Sequence, residues 1–344
     1  PGVVTIAVDA MGGDYAPRNV VEGALSCARD SHCDFNILLV GRENDIREHL
    51  PADAPARISV LHADEVVEMH DSVAVALKQK KQSSMYRALE LHRTGEVHGF
   101  ISAGNTGAVM ALSTLLLGRL PGVERPSIGT FLPSEKGPVL LIDAGANVDS
   151  KPSHLMQFGV MGSIYTERIL GRTSPRVGLL NVGEEEKKGN DASIAAWPLL
   201  REAPVNFVGN VEGRDILKGT VDVVVCDGFT GNIILKFAES FPGLLKSKFY
   251  DYAARGFLHK IWAGLMGKTL KGMIRDWDYQ EYGGVPLLGV QGVSIIGHGS
   301  STPRAMRNMI LRAKEMVDKG VNDTIRDAMS PHQSSSRSSN EESE

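Results

Sequence analysis

The stretch VDVVVCDGFTGN at residues 221–232 joins an unbroken apolar strand to a glycine-containing turn that opens a helix. The strand brings a carboxylate, Asp227, directly into that turn. The same order of strand, glycine turn and helix recurs in AVDAMGGD at 7–14, FISAGNTGA at 100–108, LLIDAGAN at 140–147, LLNVGEEEKKGN at 179–190 and SIIGHGSS at 294–301. Repeated βα units predict a largely parallel sheet whose turns collect along a single edge, where open α/β sheets bind ligands.

Apolar runs such as VVVC and VLLI lack the alternation of a half-exposed strand, so we expect both faces of the sheet to be buried. The predicted fold is α/β, a three-layer α/β/α sandwich that forms a single catalytic domain over residues 1–330. Cap-forming residues and prolines predict helix starts near Pro17, Thr106, Ser153, Asp191, Asn232 and Thr302, with Pro303 at the first helical position. Strand order does not follow from these patterns.

Composition limits the classes of function. A chain of 344 residues with 42% hydrophobic content can bury a large core, and a formal net charge of −4 gives no general attraction to nucleic acid. The cysteines, Cys27, Cys33 and Cys226, provide neither a disulfide framework nor a metal-binding spacing, so no metal and no cofactor is predicted. The first residues lack the pattern of a secretory signal, and the longest apolar run, 108–117, is short for a membrane span. These features predict a cytoplasmic protein.

Two segments break the βα rhythm. Residues 241–282 are predicted to form a helical excursion, and within it the segment 256–277 combines an apolar stripe at helical spacing with basic residues. Such a helix either lies on an anionic membrane surface or buries its stripe in a dimer interface or in the core. The tail at 331–344, PHQSSSRSSNEESE, is predicted to be disordered because it is rich in serine and glutamate and poor in apolar residues.

The glycine turns indicate an anion site. Backbone N–H groups of a turn that opens a helix, aided by the helix dipole, bind phosphate, and neither a GK[ST] nor a GxGxxG pattern is present to indicate a nucleotide. The residues predicted to bind phosphate or substrate at these turns are Asp9, Gly12, Gly13, Asp14, Gly104, Asn105, Thr106, Asp227, Thr230, Gly231 and Ser300.

Three residues are predicted to take part in catalysis. The ammonium group of Lys188, with Lys187 as the competing choice, lies at a helix entrance where it can hold phosphate or a developing oxyanion. The amide of Asn232 can donate to a carbonyl oxygen that gains negative charge, or it can cap a helix. His298 lies between two glycines, where its ring either contacts phosphate, moves a proton or is purely structural. Cys226, at the end of an apolar strand, is expected to be buried and un-ionised rather than nucleophilic.

Taken together, AVDAMGGDYAP, SAGNTGA, IDAGAN, GEEEKKGN, CDGFTGN and GHGSS resemble, in this order, the motif set of the bacterial phosphate acyltransferases. These are acyl-ACP:phosphate transacylases of glycerolipid synthesis. The resemblance implies that phosphate attacks the thioester of an acyl carrier protein to give acyl-phosphate, and that Lys188 and Asn232 are the family's lysine and asparagine. Glutamate stands after the glycine of GEEEKKG, where a threonine is common. The resemblance also implies a homodimer, a fold related to isocitrate dehydrogenase and phosphotransacetylase, and loose membrane attachment through 256–277.

Two other functions remain open. An enzyme of the related fold would transfer a short acyl group from coenzyme A to phosphate, and a long apolar cleft would argue against it. A non-catalytic protein would bind phosphate or acyl chains at the membrane. A dehydrogenase is disfavoured because the dinucleotide fingerprint is missing. If the partner is an acidic carrier protein, the candidate basic patch consists of Lys246, Lys248, Arg255 and Lys260.

Overall fold

The computed structural model describes residues 2–273 and 279–330. Its strands are β1 (Thr5–Asp9), β2 (Asn36–Gly41), β3 (Ile58–His62), β4 (Gly99–Ser102), β5 (Ser127–Leu132), β6 (Val139–Ile142), β7 (Arg176–Leu180), β8 (Asn206–Val211), β9 (Val223–Val225), β10 (Val285–Leu288) and β11 (Val293–Ile296). They form one sheet in the order β3-β2-β1-β4-β11-β10-β5-β6-β9-β7-β8. The prediction of a mixed α/β fold with a largely parallel sheet is confirmed.

The direction of the strands reverses in the middle of the sheet. Strands β3, β2, β1, β4 and β11 are parallel to one another, and so are β6, β9, β7 and β8. Between these halves, β10 is antiparallel to β11 and to β5, and β5 is antiparallel to β6. The carboxyl ends of β1, β4 and β11 therefore lie at one edge, and those of β6, β7 and β9 at the other. The prediction that all the glycine turns share one edge is wrong, because it assumed one strand direction throughout.

The helices are α1 (Arg18–Ala28), α2 (Glu43–Arg47), α3 (Val73–Lys78), α4 (Ser84–Thr94), α5 (Thr106–Leu116), α6 (Pro152–Leu170), α7 (Asp191–Glu202), α8 (Gly213–Lys218), α9 (Gly228–Ala253), α10 (Phe257–Met273), α11 (Pro303–Asp318) and α12 (Val321–Met329), with a 3-10 turn at Tyr279–Tyr282. Thr302 caps α11 by accepting from the Ala305 N–H, and Pro303 takes the first helical position, as predicted. The predicted caps Ser153 and Asp191 are wrong, because both lie inside helices that follow Lys151 and Asn190.

Both faces of the sheet carry buried side chains. In β1, Ile6 and Val8 belong to one apolar cluster and Ala7 to another, and in β9 the neighbours Val223 and Val224 are divided in the same way. Successive residues of a strand point to opposite faces, so this division means that β1 and β9 are each covered on two sides. The uninterrupted apolar runs in the sequence have this cause.

The excursion consists of the second half of α9, the whole of α10 and the turn at Tyr279–Tyr282. Helices α9 and α10 contact each other, and several of their large apolar side chains are exposed in the single chain. These include Phe237, Leu244, Phe257, Leu258, Ile261, Trp262, Leu265 and Met266. Within the described ranges, none of the helices is long and apolar enough to cross a bilayer. The predicted amphipathic stretch from 274 to 277 and the predicted disordered tail at 331–344 lie outside the described residues.

Candidate active site

The turns after β1, β4 and β11 (residues 9–14, 102–107 and 297–301) form what we call the first turn cluster. Asp9 organises it from beneath. One carboxylate oxygen of Asp9 accepts from the Met11 N–H at 3.2 Å and the Ser84 hydroxyl at 2.6 Å, and the other accepts from the Ser102 hydroxyl at 2.7 Å. Burial raises the pKa of Asp9, although these hydrogen bonds oppose the rise. Asp9 therefore holds the turns in place, and the residue is only 2% exposed.

The glycines of this cluster allow the backbones to meet. A Cβ atom placed on Gly12 would lie 2.7 Å from Asp9 Oδ2 and 2.8 Å from the Gly104 nitrogen. Gly13 has a φ of 114°, a conformation that disfavours any side chain, and the Asp14 N–H donates to the Gly299 carbonyl at 2.8 Å. The Asp14 and Gly104 amides, which the sequence assigned to an anion, bond instead to Gly299 and to the Ser102 hydroxyl.

Asn105 and His298 lie at the surface of this cluster. Asn105 caps α5 by accepting from the Ala108 N–H at 3.1 Å, and its amide donates to the carbonyls of Met69 and Asp71 at 3.0 and 2.9 Å. It thus ties the 68–71 loop to the cluster. Thr106, the first residue of α5, is exposed, as is His298, whose Nδ1 lies 2.8 Å from the Ser300 hydroxyl.

The turns after β6, β7 and β9 (residues 143–147, 181–190 and 226–232) form the second turn cluster. Its central group is the fully buried Asp143. The carboxylate accepts from the N–H groups of Gly145, Ala146 and Asn147 at 3.0, 2.8 and 2.8 Å, and from the Asn147 side-chain amide at 2.7 Å. Burial raises the pKa of Asp143, while these bonds lower it. The sequence reasoning missed Asp143 and Asn147, although the carboxylate at the strand end in LLIDAGAN repeats the position of Asp9 in AVDAMGGD.

The first turn of α9 packs against this loop. Asp227 caps the helix, since one carboxylate oxygen accepts from the Thr230 N–H at 2.8 Å and the other from its hydroxyl at 3.0 Å. The Gly228 N–H donates to the Asn147 carbonyl at 2.7 Å. A Cβ atom on Gly231 would lie 1.8 Å from the Asp143 carbonyl oxygen, and the Gly231 N–H already donates to Asp227 within the helix. Gly231 therefore lets the α9 backbone pack directly against the Asp143 carbonyl, and its N–H group is not available to phosphate.

Asn232 is an exposed residue in the second turn of α9, so its reading as the helix cap is wrong. The predicted helix start at this residue is wrong for the same reason, because the helix begins at Gly228. The Asn232 side chain lies beside the Asp143 loop: a Cβ atom on Gly145 would be 3.3 Å from Asn232 Cβ and 3.4 Å from its Oδ1. Asn232 thus presents its amide at the point where α9 and the β6 turn meet.

Lys188 is exposed in the loop between β7 and α7. Its carbonyl accepts from the Asn181 amide at 2.8 Å, which fixes the loop while leaving the ammonium group in solvent. Asn190, two residues further on, caps α7 by accepting from the Ser193 N–H at 2.9 Å. Gly189 and Asn190 face Asp227 and Thr230 across one cavity of about 870 Å³.

This cavity is bounded by groups that suit an anion. The N-termini of α7 and α9 both border it, so two helix dipoles direct partial positive charge toward it, and the Lys188 loop reaches it through Gly189 and Asn190. The carboxylates of Asp149 and Asp227 line it as well, and neither Lys188 nor Asn232 is among its lining residues. His298, Ser300 and the glycines of the first turn cluster do not line it. The structure therefore brings the Lys188 loop, Asp227 and Thr230 together, and separates them from the candidates near β1, β4 and β11.

Cys226 lies beneath the same cavity and is 4% exposed. Burial raises the pKa of its thiol well above the usual value, and the neighbouring Asp143 and Asp227 add to the rise. The thiol lies 3.5 Å from the Asp143 carbonyl oxygen. The prediction of a buried, un-ionised thiol is confirmed, and Cys226 is not poised for covalent catalysis.

Comparison with known proteins identifies the family. A family model described as "Fatty acid synthesis protein" matches residues 4–324. A phosphate acyltransferase from Pelotomaculum thermopropionicum is 50% identical over 325 residues, 94% of this chain and 94% of the relative. A second, from Brevibacillus brevis, is 46% identical over 325 residues, 94% of this chain and 97% of the relative.

Solved structures give the same fold at low sequence identity. The EutD phosphotransacetylase from Staphylococcus aureus matches with a TM-score of 0.61 at 14% identity, covering 92% of this chain and 94% of that one. A branched-chain phosphotransacylase from Enterococcus faecalis matches with a TM-score of 0.58 at 15% identity, covering 92% and 99%. The extent of the sequence matches confirms the resemblance seen in the motifs, and the chain belongs to the fatty acid synthesis protein family, the family of the phosphate acyltransferases.

Proposed function

We propose that the chain transfers a long-chain fatty acyl group from acyl carrier protein to inorganic phosphate, giving acyl-phosphate for phospholipid synthesis. The observation that carries the proposal is the cavity of about 870 Å³ between the Lys188 loop and the first turn of α9. It combines two helix N-termini with a nearby lysine, a setting that favours a phosphate dianion over a neutral acceptor.

In the proposed reaction a phosphate oxygen attacks the thioester carbon, and the resulting tetrahedral oxyanion collapses with loss of the carrier thiolate, which then takes up a proton. Phosphate is already nucleophilic near neutral pH, so positioning and charge supply the catalysis. Lys188 holds phosphate at the cavity mouth. The Asn232 amide, beside Gly145, donates to the oxyanion, a contribution whose removal typically costs about 10²–10³ in kcat.

His298 remains a candidate for the acid that protonates the thiolate, but it belongs to the first turn cluster. This role requires the carrier's arm or a second subunit to link the two clusters. The glycines and polar residues of the first turn cluster are proposed to contact phosphate or substrate as well, if the carrier's arm or a second subunit links the two clusters. Cys226 takes no part.

The same proposal includes the assembly. Apolar side chains of α10, such as Ile261, Trp262 and Leu265, are exposed to solvent in the single chain. We propose that they are buried by a homodimer contact together with peripheral membrane contact through 256–277. Lys246, Lys248 and Arg255 lie along the same excursion and suit an acidic carrier protein. The finer architecture is likewise proposed: one three-layer α/β/α domain over 1–330, related to isocitrate dehydrogenase, and a cytoplasmic location.

Hydroxylamine trapping tests the function. Purified protein is given palmitoyl carrier protein and inorganic phosphate, with palmitoyl-CoA and acetyl-CoA in parallel, and hydroxamate is measured with and without phosphate. Phosphate-dependent hydroxamate from the carrier substrate is the expected result. Product from acetyl-CoA alone would point to a phosphotransacetylase, and phosphate binding without product from any donor would point to a binding protein.

A further inference from the structure

One cavity receives residues from both turn clusters. It has a volume of about 440 Å³ and runs beside α5, bounded by Gly107 of the first cluster and by Ala146 and Asn147 of the second. The strand reversal separates the two clusters at opposite edges of the sheet. Helix α5 crosses between those edges, because it returns antiparallel to β4.

The walls of this groove are mainly apolar. They are formed by Leu77 on α3, by Met110, Ala111 and Leu115 on α5, and by Leu287 on β10. Among the lining residues only Arg125 is charged, and no carboxylate is present. The Leu115 side chain is 65% exposed although it faces an apolar channel. A ligand that covered it would remove a large apolar surface from water.

The groove adjoins the second turn cluster through Asn147, which lines the groove and is not among the lining residues of the larger cavity. The Asn147 N–H and side-chain amide both donate to Asp143, and its carbonyl accepts from the Gly228 N–H at the start of α9. The Asn147 side-chain amide also donates to the Pro126 carbonyl at 2.8 Å, and both residues line the groove, so Asn147 connects the Asp143 turn to the groove wall. Gly145, two residues before it, adjoins Asn232.

We propose that this groove binds the fatty acyl chain during transfer, which rests on the proposed function. Residues 107–115 extend about 12 Å along the axis of α5 at 1.5 Å per residue. An extended chain with C–C bonds of about 1.5 Å advances about 1.25 Å per carbon, so the groove accommodates about ten carbons beyond the reacting carbonyl. An acetyl group would leave nearly all of it empty, so the groove selects a long-chain donor.

The groove makes affinity depend on chain length. Burying one methylene group contributes enough transfer free energy to change affinity about threefold to fourfold. KM for the acyl donor is therefore expected to fall by about that factor for each methylene added from the hexanoyl chain onward. The fall should level off near the dodecanoyl chain, where the groove is filled.

Two substitutions test the groove with acyl donors. Leu115→Asp introduces a charge at an exposed lining position, and Ala111→Trp fills the channel. Both are expected to lower kcat/KM for the palmitoyl donor by about tenfold or more. Activity with the acetyl donor, which leaves the groove nearly empty, should change little. Leu217→Asp, on α8, is the matched control, since Leu217 is 46% exposed and lines neither cavity. An unchanged chain-length profile in both variants would overturn the proposal.

A binding measurement separates the groove from the reaction. Fluorescence of the fatty acid cis-parinaric acid is titrated with the unchanged protein and with each variant. Weaker binding by about tenfold in Leu115→Asp and Ala111→Trp, but not in Leu217→Asp, supports the groove even if no donor yields acyl-phosphate. In that case the proposed function alone fails. Equal binding by all proteins overturns the groove even if the reaction is confirmed.

Discussion

Gly231→Ala is the sharpest test of how α9 is held against the Asp143 loop. The added Cβ would lie 1.8 Å from the Asp143 carbonyl oxygen and 2.9 Å from Cys226 Sγ, where ordinary contacts begin near 3.4 Å. The carbonyl contact alone requires the helix and the loop to separate by about 1.6 Å. Because Asn232 follows directly and lies against Gly145, the separation moves its amide away from the reacting carbonyl.

A displacement of about 1 Å in a catalytic group can cost about 10²-fold in rate, so we expect kcat/KM for the acyl donor to fall about 100-fold. Overpacking should also lower the free energy of unfolding by about 1–3 kcal/mol. The assay is phosphate-dependent hydroxamate formation, with urea unfolding followed by circular dichroism.

Gly243→Ala is the matched control in the same helix, since its added Cβ would have no neighbour within 4 Å. It should leave turnover unchanged and stabilise the helix by about 0.5–1 kcal/mol. If Gly231→Ala had the turnover and stability of the unchanged protein, the close approach of α9 would have no bearing on catalysis and the reasoning would be refuted.

Two further predictions concern buried groups. Burial alone would raise the pKa of Asp222, but hydrogen bonds and charge from Arg176 and Arg172 outweigh it and hold that pKa below its usual value. Because the pKa of Asp222 is lower in the folded than in the unfolded chain, the ionised carboxylate stabilises the fold fully above the unfolded pKa. This stabilisation is lost as pH falls through the folded pKa. Asp222→Asn should lower the free energy of unfolding by about 3 kcal/mol at pH 7, with a difference that shrinks toward pH 3 in urea titrations; a constant difference would contradict this. Cys226→Ala should turn over as fast as the unchanged protein, and its free energy of unfolding should fall by about 1 kcal/mol. A folded Cys226→Ala variant without activity would instead show that the thiol is the nucleophile.

The sequence predicts the glycine turns and the buried strands well, because a strand end, a carboxylate and glycine leave a local signature. It fails where a feature depends on distant pairing. The antiparallel strands β5 and β10 reverse the sheet, and their sequences, SIGTFL and VPLL, contain nothing that indicates direction. Helix starts shift because neighbouring cap formers compete, as Asn190 and Asp191 do.

The candidate site is predicted only in part for a similar reason. Asp227 and Thr230 lie where the motif suggests, but the motif does not tell a glycine that binds from a glycine that packs. Gly231 is of the second kind, because its neighbour is the carbonyl of Asp143, 88 positions earlier in the sequence. Asp143 itself was missed because three of its four hydrogen-bond donors are backbone N–H groups, which every sequence has.

The most direct test of the central claim is transfer of [³²P]phosphate into acyl-phosphate from palmitoyl carrier protein, measured together with the release of free carrier thiol. Labelled product and thiol should appear in equal amounts with the unchanged protein. Lys188→Ala and Asn232→Ala should each be about 100-fold slower, the former partly rescued by high phosphate. No labelled product from the unchanged protein, or full activity of Asn232→Ala at saturating substrates, would contradict the account.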